Sequence, residues 1–189
     1  MKCQTVIAGI GGQGVLFAAK ILTEIARRRE VPVLGSQTFG MAQRGGSVTT
    51  HLKMGEFESP LICEGDADLL LALDAVEAHR TLPFLRARGK GGAPACVVNA
   101  REDAAFPDPR VAGLVADMGI VVHRCNADRE ALAMKLPLVA NLVLLGFASS
   151  RPGFPFAYAE VCEATAALSG PHRTTNLEAL ERGRALSGP

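Results

Sequence analysis

Three things are scarce in this sequence of 189 residues, and each scarcity excludes a class of function. Charge of one sign is the first: 20 Lys and Arg stand against 19 Asp and Glu, a formal net charge of +1. A chain whose main task is nonspecific binding to nucleic acid or an anionic membrane carries a cationic surplus, so neither partner is expected. Two short basic runs remain, Arg27-Arg28-Arg29 and Arg86 to Lys90. Both fall near expected helix ends, where cations oppose the negative end of the dipole. The second scarcity is close-spaced cysteine. Cys3, Cys63, Cys96, Cys125 and Cys162 include no C-x-x-C pair. An iron–sulfur cluster needs about four converging thiolates, so no metal site is expected on this chain alone. The cysteines read as small buried hydrophobes in a reducing cytoplasm. The third is a long apolar run. Leu136 to Ser149 is interrupted by Pro137 and Asn141 and falls short of the roughly 20 residues of a membrane span. Met1-Lys2-Cys3 leads directly into an expected strand without a signal-peptide pattern, so a soluble cytoplasmic protein is expected.

What is present is glycine at telling positions. The length suits one domain, 1–189. Near its start, Gly9-Ile10-Gly11-Gly12-Gln13-Gly14 follows the apolar run Thr5 to Ala8 and precedes a helical pattern. In that pattern Val15, Ala18, Ala19, Leu22, Ile25 and Ala26 recur at helical spacing. Strand, glycine turn and helix form the context that gives a G-x-G-x-x-G meaning. The helix start directs unpaired N–H groups and a positive dipole end at the turn, which favours an anionic group there. The competing reading is close helix–sheet packing with no ligand.

Further along, Val31–Leu34 reads as a short strand, with Pro32 suggesting an edge or an early position in it, and Gly35–Gly46 as a polar loop. Ser47–Met54 alternates as a strand, with Phe57–Ile62 as its hairpin partner across Gly55-Glu56. Asp68–Leu73 and Ala95–Asn99 are continuous apolar runs suited to central parallel strands, and Gly119–His123 is a further strand. Helices are expected over Asp74–Leu85, Val111–Met118, Asp128–Lys135, Leu136–Ala148, Pro155–Leu168 and Asn176–Leu186. Asp74 with Glu77, and Thr175 with Glu178, have capping-box spacing. The alternation predicts a three-layer, Rossmann-like α/β fold: a mostly parallel sheet, helices on both faces, and a small antiparallel hairpin. The apolar run over Leu136–Ala148 exceeds what one helix face needs, so part of it is expected between subunits, or in a homodimer of the isolated chain.

A nicotinamide site usually has an acidic residue after the second strand. Leu34-Gly35-Ser36-Gln37 stands there instead, and Glu30 precedes the strand. A second constellation is Gly40-Met41-Ala42-Gln43-Arg44-Gly45-Gly46-Ser47. Arg44 offers a fork of donors to a carboxylate or phosphate, and Gly45 and Gly46 allow a backbone nest, with the Ser47 hydroxyl beside them. His51 follows on the strand, on the solvent side or in the same cleft; His79 reads as solvated. Asp74 is explained by capping, and Asn99 and Asn126 by turns. Asn141 is polar inside an apolar helix, with backbone carbonyls or a neighbouring subunit as its possible partners.

The two glycine motifs together resemble the gamma subunit, or gamma domain, of the 2-oxoacid:ferredoxin oxidoreductases. Ser59-Pro60-Leu61-Ile62, Ala67 to Leu73, Asn141 to Gly146 and Asn176 to Ala179 continue the resemblance, which spans Val6 to about Glu181. The Met-Ala-Gln-Arg-Gly-Gly form is most similar to the indolepyruvate, or ketoacid-type, small subunit. The resemblance implies oxidative decarboxylation of a 2-oxoacid, such as pyruvate or another ketoacid, to an acyl-CoA, with electrons passed to ferredoxin. It implies thiamine diphosphate and iron–sulfur clusters on partner subunits of a heteromeric complex. It gives this chain no catalytic residue and no activity alone. It implies a coenzyme A or active-site closure role for Gly9, Gly11, Gly12, Gln13, Gly14, Gln43, Arg44, Gly45, Gly46 and Ser47. A stand-alone dinucleotide-binding oxidoreductase and a non-catalytic regulatory binding module are the alternatives.

Overall fold

The computed structural model describes residues 2–40, 45–89, 92–101 and 104–186. Six strands, β1 (Cys3–Ile10), β2 (Val33–Phe39), β3 (Ser47–Met54), β4 (Leu69–Ala72), β5 (Ala95–Asn99) and β6 (Val121–Cys125), form one sheet in the order β2-β3-β1-β4-β5-β6. β3 runs antiparallel to both neighbours, and the β1–β4, β4–β5 and β5–β6 pairs are parallel. The expected architecture is therefore present, with one correction: the hairpin partner of β3 is β2, not Phe57–Ile62, which forms no strand. β2 also continues to Phe39, where a loop is expected. Pairing with β3 holds its polar residues Ser36, Gln37 and Thr38 in the ladder, although only Thr38 has the side chain of a strand former.

Helices cover both faces. α1 (Val15–Arg28), α4 (Ala127–Ala133), α5 (Ala140–Ala148), α6 (Tyr158–Leu168) and α7 (Arg173–Arg184) share a core with Ile7, Leu69, Leu71 and Val97. α2 (Ala75–Thr81) and α3 (Arg110–Asp117) lie opposite, over Val6, Ala8, Leu70 and Val98. The strict alternation of strand residues between these two cores explains why the central strands read as unbroken apolar runs.

Of the apolar run Leu136–Ala148, the part that forms α5 is taken up by the chain's own core. Every residue from Asn141 to Ala148 is buried within the chain, among α1, α4, α6 and α7. Each of Leu142, Leu144, Leu145 and Phe147 contributes about 1.5–3 kcal/mol by that burial. Gly146 and Gly183 let the α5 and α7 backbones touch. A Cβ at Gly146 would run into the Leu180 carbonyl, and one at Gly183 into that of Val143. Just ahead of α5, Leu132 (67% exposed) and Leu138 (83% exposed) stand in water, the second of them within the run expected between subunits.

The expected capping boxes do not form. Asp74 does cap α2, accepting from the N–H groups of Val76 and Glu77 at 2.8 and 3.1 Å. The Glu77 carboxylate instead accepts from Ser47 Oγ and from Arg80, because it is buried against β3. Thr175 lies inside α7, which starts at Arg173. His51 is neither solvated nor in a cleft. It is buried on the α2 side, edge-on to Phe84, and its Nδ1 accepts the Ile62 N–H at 3.0 Å. His79 is half-buried, and its Nδ1 has no hydrogen-bond partner among the described residues. Cys3 and Cys96 are buried as expected, but Cys63 is exposed on the loop before β4.

Candidate functional site

The chain leaves β1 over the α1 face toward β2, and leaves β4 over the α2 face toward β5 and β6. The crossovers therefore diverge between β1 and β4. Open α/β sheets place ligands at the carboxyl ends of strands beside such a point. A hollow of about 430 Å³ opens there, lined at the strand ends by Ile10 and Gln13, Leu73 and Asp74, and Asn99 and Arg101.

The glycine turn borders it. Gly11 and Gly12 are exposed, and Gly12 has φ +99° with open space where a side chain would project. Gly14 caps α1 with φ +83°, and any Cβ there would collide with the Asn141 carboxamide. That carboxamide donates to the Gly14 carbonyl at 3.3 Å, so the backbone, not a neighbouring subunit, is the partner of the odd polar residue in α5. Gly9 is packed too closely for a side chain: a Cβ there would lie 2.9 Å from Val15 and Gln13 side-chain atoms and 3.0 Å from Leu73 Cβ. Gln13 folds back so that its Oε1 accepts the Ile10 N–H at 2.7 Å, while its own N–H donates to the Ile10 carbonyl at 3.0 Å. No side chain caps α1, and its first turn has no acidic residue. Among the described residues, the N–H groups of Gly12, Gly14, Val15 and Leu16 find no acceptor. An uncapped start on a 14-residue helix suits an anion.

The second glycine loop meets the first. Ile10 pairs with Ser47 across the β1–β3 ladder, and the Gly11 N–H donates to the Gly46 carbonyl at 2.9 Å. Gly45 is exposed with φ +70°. Ser47 turns its hydroxyl away, to Glu77. Of the expected site residues only Gln13 lines the hollow; Gly9, Gly11, Gly12, Gly14, Gly45, Gly46 and Ser47 stand beside it without lining it. Gln43 and Arg44 lie outside the described residues.

Sequence reasoning missed the far wall. Asn99 is not a simple turn residue: its Nδ2 donates to the Leu73 carbonyl and to Asp128, and its Oδ1 accepts the Ala127 N–H. It thus ties the ends of β4 and β5 to the start of α4. Arg101 pairs with Asp128 at 2.9 Å, and this hydrogen bond raises the guanidinium above its already high pKa. Leu73, Val76, Phe106 and Pro107 add apolar surface. The available signal was position, since Asn99 and Arg101 stand at and just beyond the end of an expected strand. Among the described residues, no three His, Cys, Asp or Glu side chains are grouped to hold a metal ion, and no helix is long and apolar enough to cross a membrane.

Fold and site define an open, mostly parallel α/β domain with a hollow at the switch point of its sheet. The chain belongs to the pyruvate ferredoxin/flavodoxin oxidoreductase family, whose pattern matches residues 4–186. It is similar to the indolepyruvate oxidoreductase subunit IorB of Methanothermobacter thermautotrophicus, 33% identical over 160 residues, 82% of each chain. Its fold is similar to the gamma subunit of the keto/oxoacid ferredoxin oxidoreductase of Geobacter sulfurreducens PCA, with TM-score 0.70 and 21% identity over 96% of this chain and 95% of that one. It is also similar to part of the 2-oxoglutarate:ferredoxin oxidoreductase of Magnetococcus marinus, solved with 2-oxoglutarate, coenzyme A and succinyl-CoA. There the TM-score is 0.74 and the identity 20%, over 97% of this chain and 30% of that one.

Proposed function

We propose that this chain is the gamma-type subunit of a thiamine diphosphate-dependent 2-oxoacid:ferredoxin oxidoreductase. In that reading it has no activity alone and supplies an anion cradle for coenzyme A beside partner subunits that hold the thiamine diphosphate and iron–sulfur clusters. Ferredoxin is the acceptor of the complex. The observation that carries the reading is the joining of Gly11 to Gly46, which brings both glycine loops to the uncapped start of α1 at the switch point of the sheet.

The charge pattern divides the ligand. Asp74 and Asp128 make the floor of the hollow unfavourable for phosphates, even with Arg101 beside them. The phosphates belong at the glycine turn, where backbone N–H groups are unpaired and the helix dipole is positive. The hollow, with apolar walls at Val76 and Phe106 and carboxylate acceptors, suits an uncharged portion carrying N–H or O–H donors. Arg44 is the cation of this cradle. In the assembled complex, Arg44→Ala should raise the apparent KM for coenzyme A by about tenfold, the worth of one charge-assisted hydrogen bond. Unchanged kinetics would remove Arg44 from the site. The stand-alone dinucleotide alternative predicts nicotinamide binding by the isolated chain, measurable by calorimetry.

A further inference from the structure

β2 is an outer strand, and among the described residues nothing pairs with its far edge. Two bonds reveal which of its backbone groups face outward. The Gly40 N–H donates to the Ser47 carbonyl at 2.7 Å, and the Gly55 N–H to the Pro32 carbonyl at 2.8 Å. Both extend the β2–β3 register. Even-numbered residues therefore turn their N–H and C=O toward β3, and Val33, Gly35, Gln37 and Phe39 turn theirs outward. From Val33 to Phe39 there is no charge and no proline. The usual guards against edge-to-edge pairing are missing.

The side chains of these odd-numbered residues lie on the α1 face. Val33 packs against that core, and Phe39 is 58% exposed. Beside Gly35 is a hollow of about 330 Å³ between α1 and the sheet. One of its walls is Thr50, a buried residue whose hydroxyl has no hydrogen-bond partner among the described residues.

We propose that β2 pairs antiparallel with β2 of a second copy of this chain, about a two-fold axis at Ser36, joining the two six-stranded sheets edge to edge. Three features select a second copy. Pairing centred on Ser36 sets Val33 opposite Phe39 and Gly35 opposite Gln37, so every outward-facing residue meets another and each pair exchanges both backbone bonds. The strand is uncharged, so two-fold repetition brings no like charges together. Shape agrees: Gln37 of the second copy lies against Gly35, bringing a carboxamide over the hollow that Thr50 borders. Phe39 meets Val33 of the second copy, an aromatic on a β-branched side chain. This dimer is independent of the ligand at the glycine turn.

The test is the mass of the purified full chain by sedimentation or light scattering, with circular dichroism checking that each variant is folded. The wild type should run at twice its 19.8 kDa. Gln37→Pro removes an outward N–H and leaves the β2–β3 ladder intact, so it should halve that mass. Ser36→Lys and Ser36→Glu each place like charges directly opposite and should each weaken self-association by about fivefold. Mixing the two should give a heterodimer tighter than either variant alone. A monomeric wild type, a Gln37→Pro chain that keeps the dimer mass, or a mixture no tighter than its components would each overturn the proposal. A monomer whose β2 edge is instead covered by a partner subunit is among the overturning results.

Discussion

On the α1 face of the sheet, five helices stack two deep, and α5 is sealed on all sides. On the opposite face, α2 and α3 form a thinner cover, with hollows running from the switch point to α3. Apolar side chains line both cores. The difference lies in how the second layer is held. α7 fixes α5 by backbone-to-backbone approach, whereas the α2 face relies on single polar ties, such as Ser47 to Glu77 and His51 to Ile62. Tolerance to change should differ accordingly, and the ligand-side features fall where cover is thin.

The strongest way to break this comparison is Gly146→Ala. Its methyl group has only the α7 backbone to push against, so a loss of about 3 kcal/mol is expected, at the upper end for overpacking. Denaturant unfolding measures it, and a change within error would mean that the two helices separate readily. The next effect is on the open face. Burial, and then the nearby Lys53 charge, hold His51 below its ordinary pKa. The unfolded chain thus takes up a proton at higher pH than the native one. Stability is whole above about pH 6.5 and declines as pH falls below it. His51→Gln should flatten the fall in Tm between about pH 7 and pH 5 by a few degrees. An unaltered slope would assign the acid sensitivity elsewhere. The smallest effect on stability, and the sharpest chemical contrast, concerns thiols. Burial pushes Cys96 up to about 12, so alkylation of the native chain should modify exposed Cys63 first and spare Cys96 until unfolding. Equal rates, followed by mass spectrometry, would show the thin face to be open down to its strands.

Much of the fold was legible because central strands and amphipathic helices have strong periodic signals. Ser47–Met54 and Ala95–Asn99 coincide with the observed strands residue for residue. What escaped was decided by partners distant in sequence. β2 reaches Phe39 because β3 holds it there, and Glu77 abandons its capping spacing because Ser47 arrives beside it. The acidic-residue rule for nicotinamide sites assumes that the second strand lies next to the first. Here β3 intervenes, so its end could never have tested the rule. The glycine turn was visible as a local motif. Asn99, Arg101 and Asp128 were not, since only the strand order assembles them opposite it.

The turn between β1 and α1 is clamped at three points: Ile10 by Gln13, Gly11 by Gly46, and Gly14 by Asn141. A cradle so fixed has little conformational freedom left to lose when something settles in it. Any gain in ligand affinity on assembly must then come from chemical groups the companion chains bring to the rim, and not from stiffening of this segment.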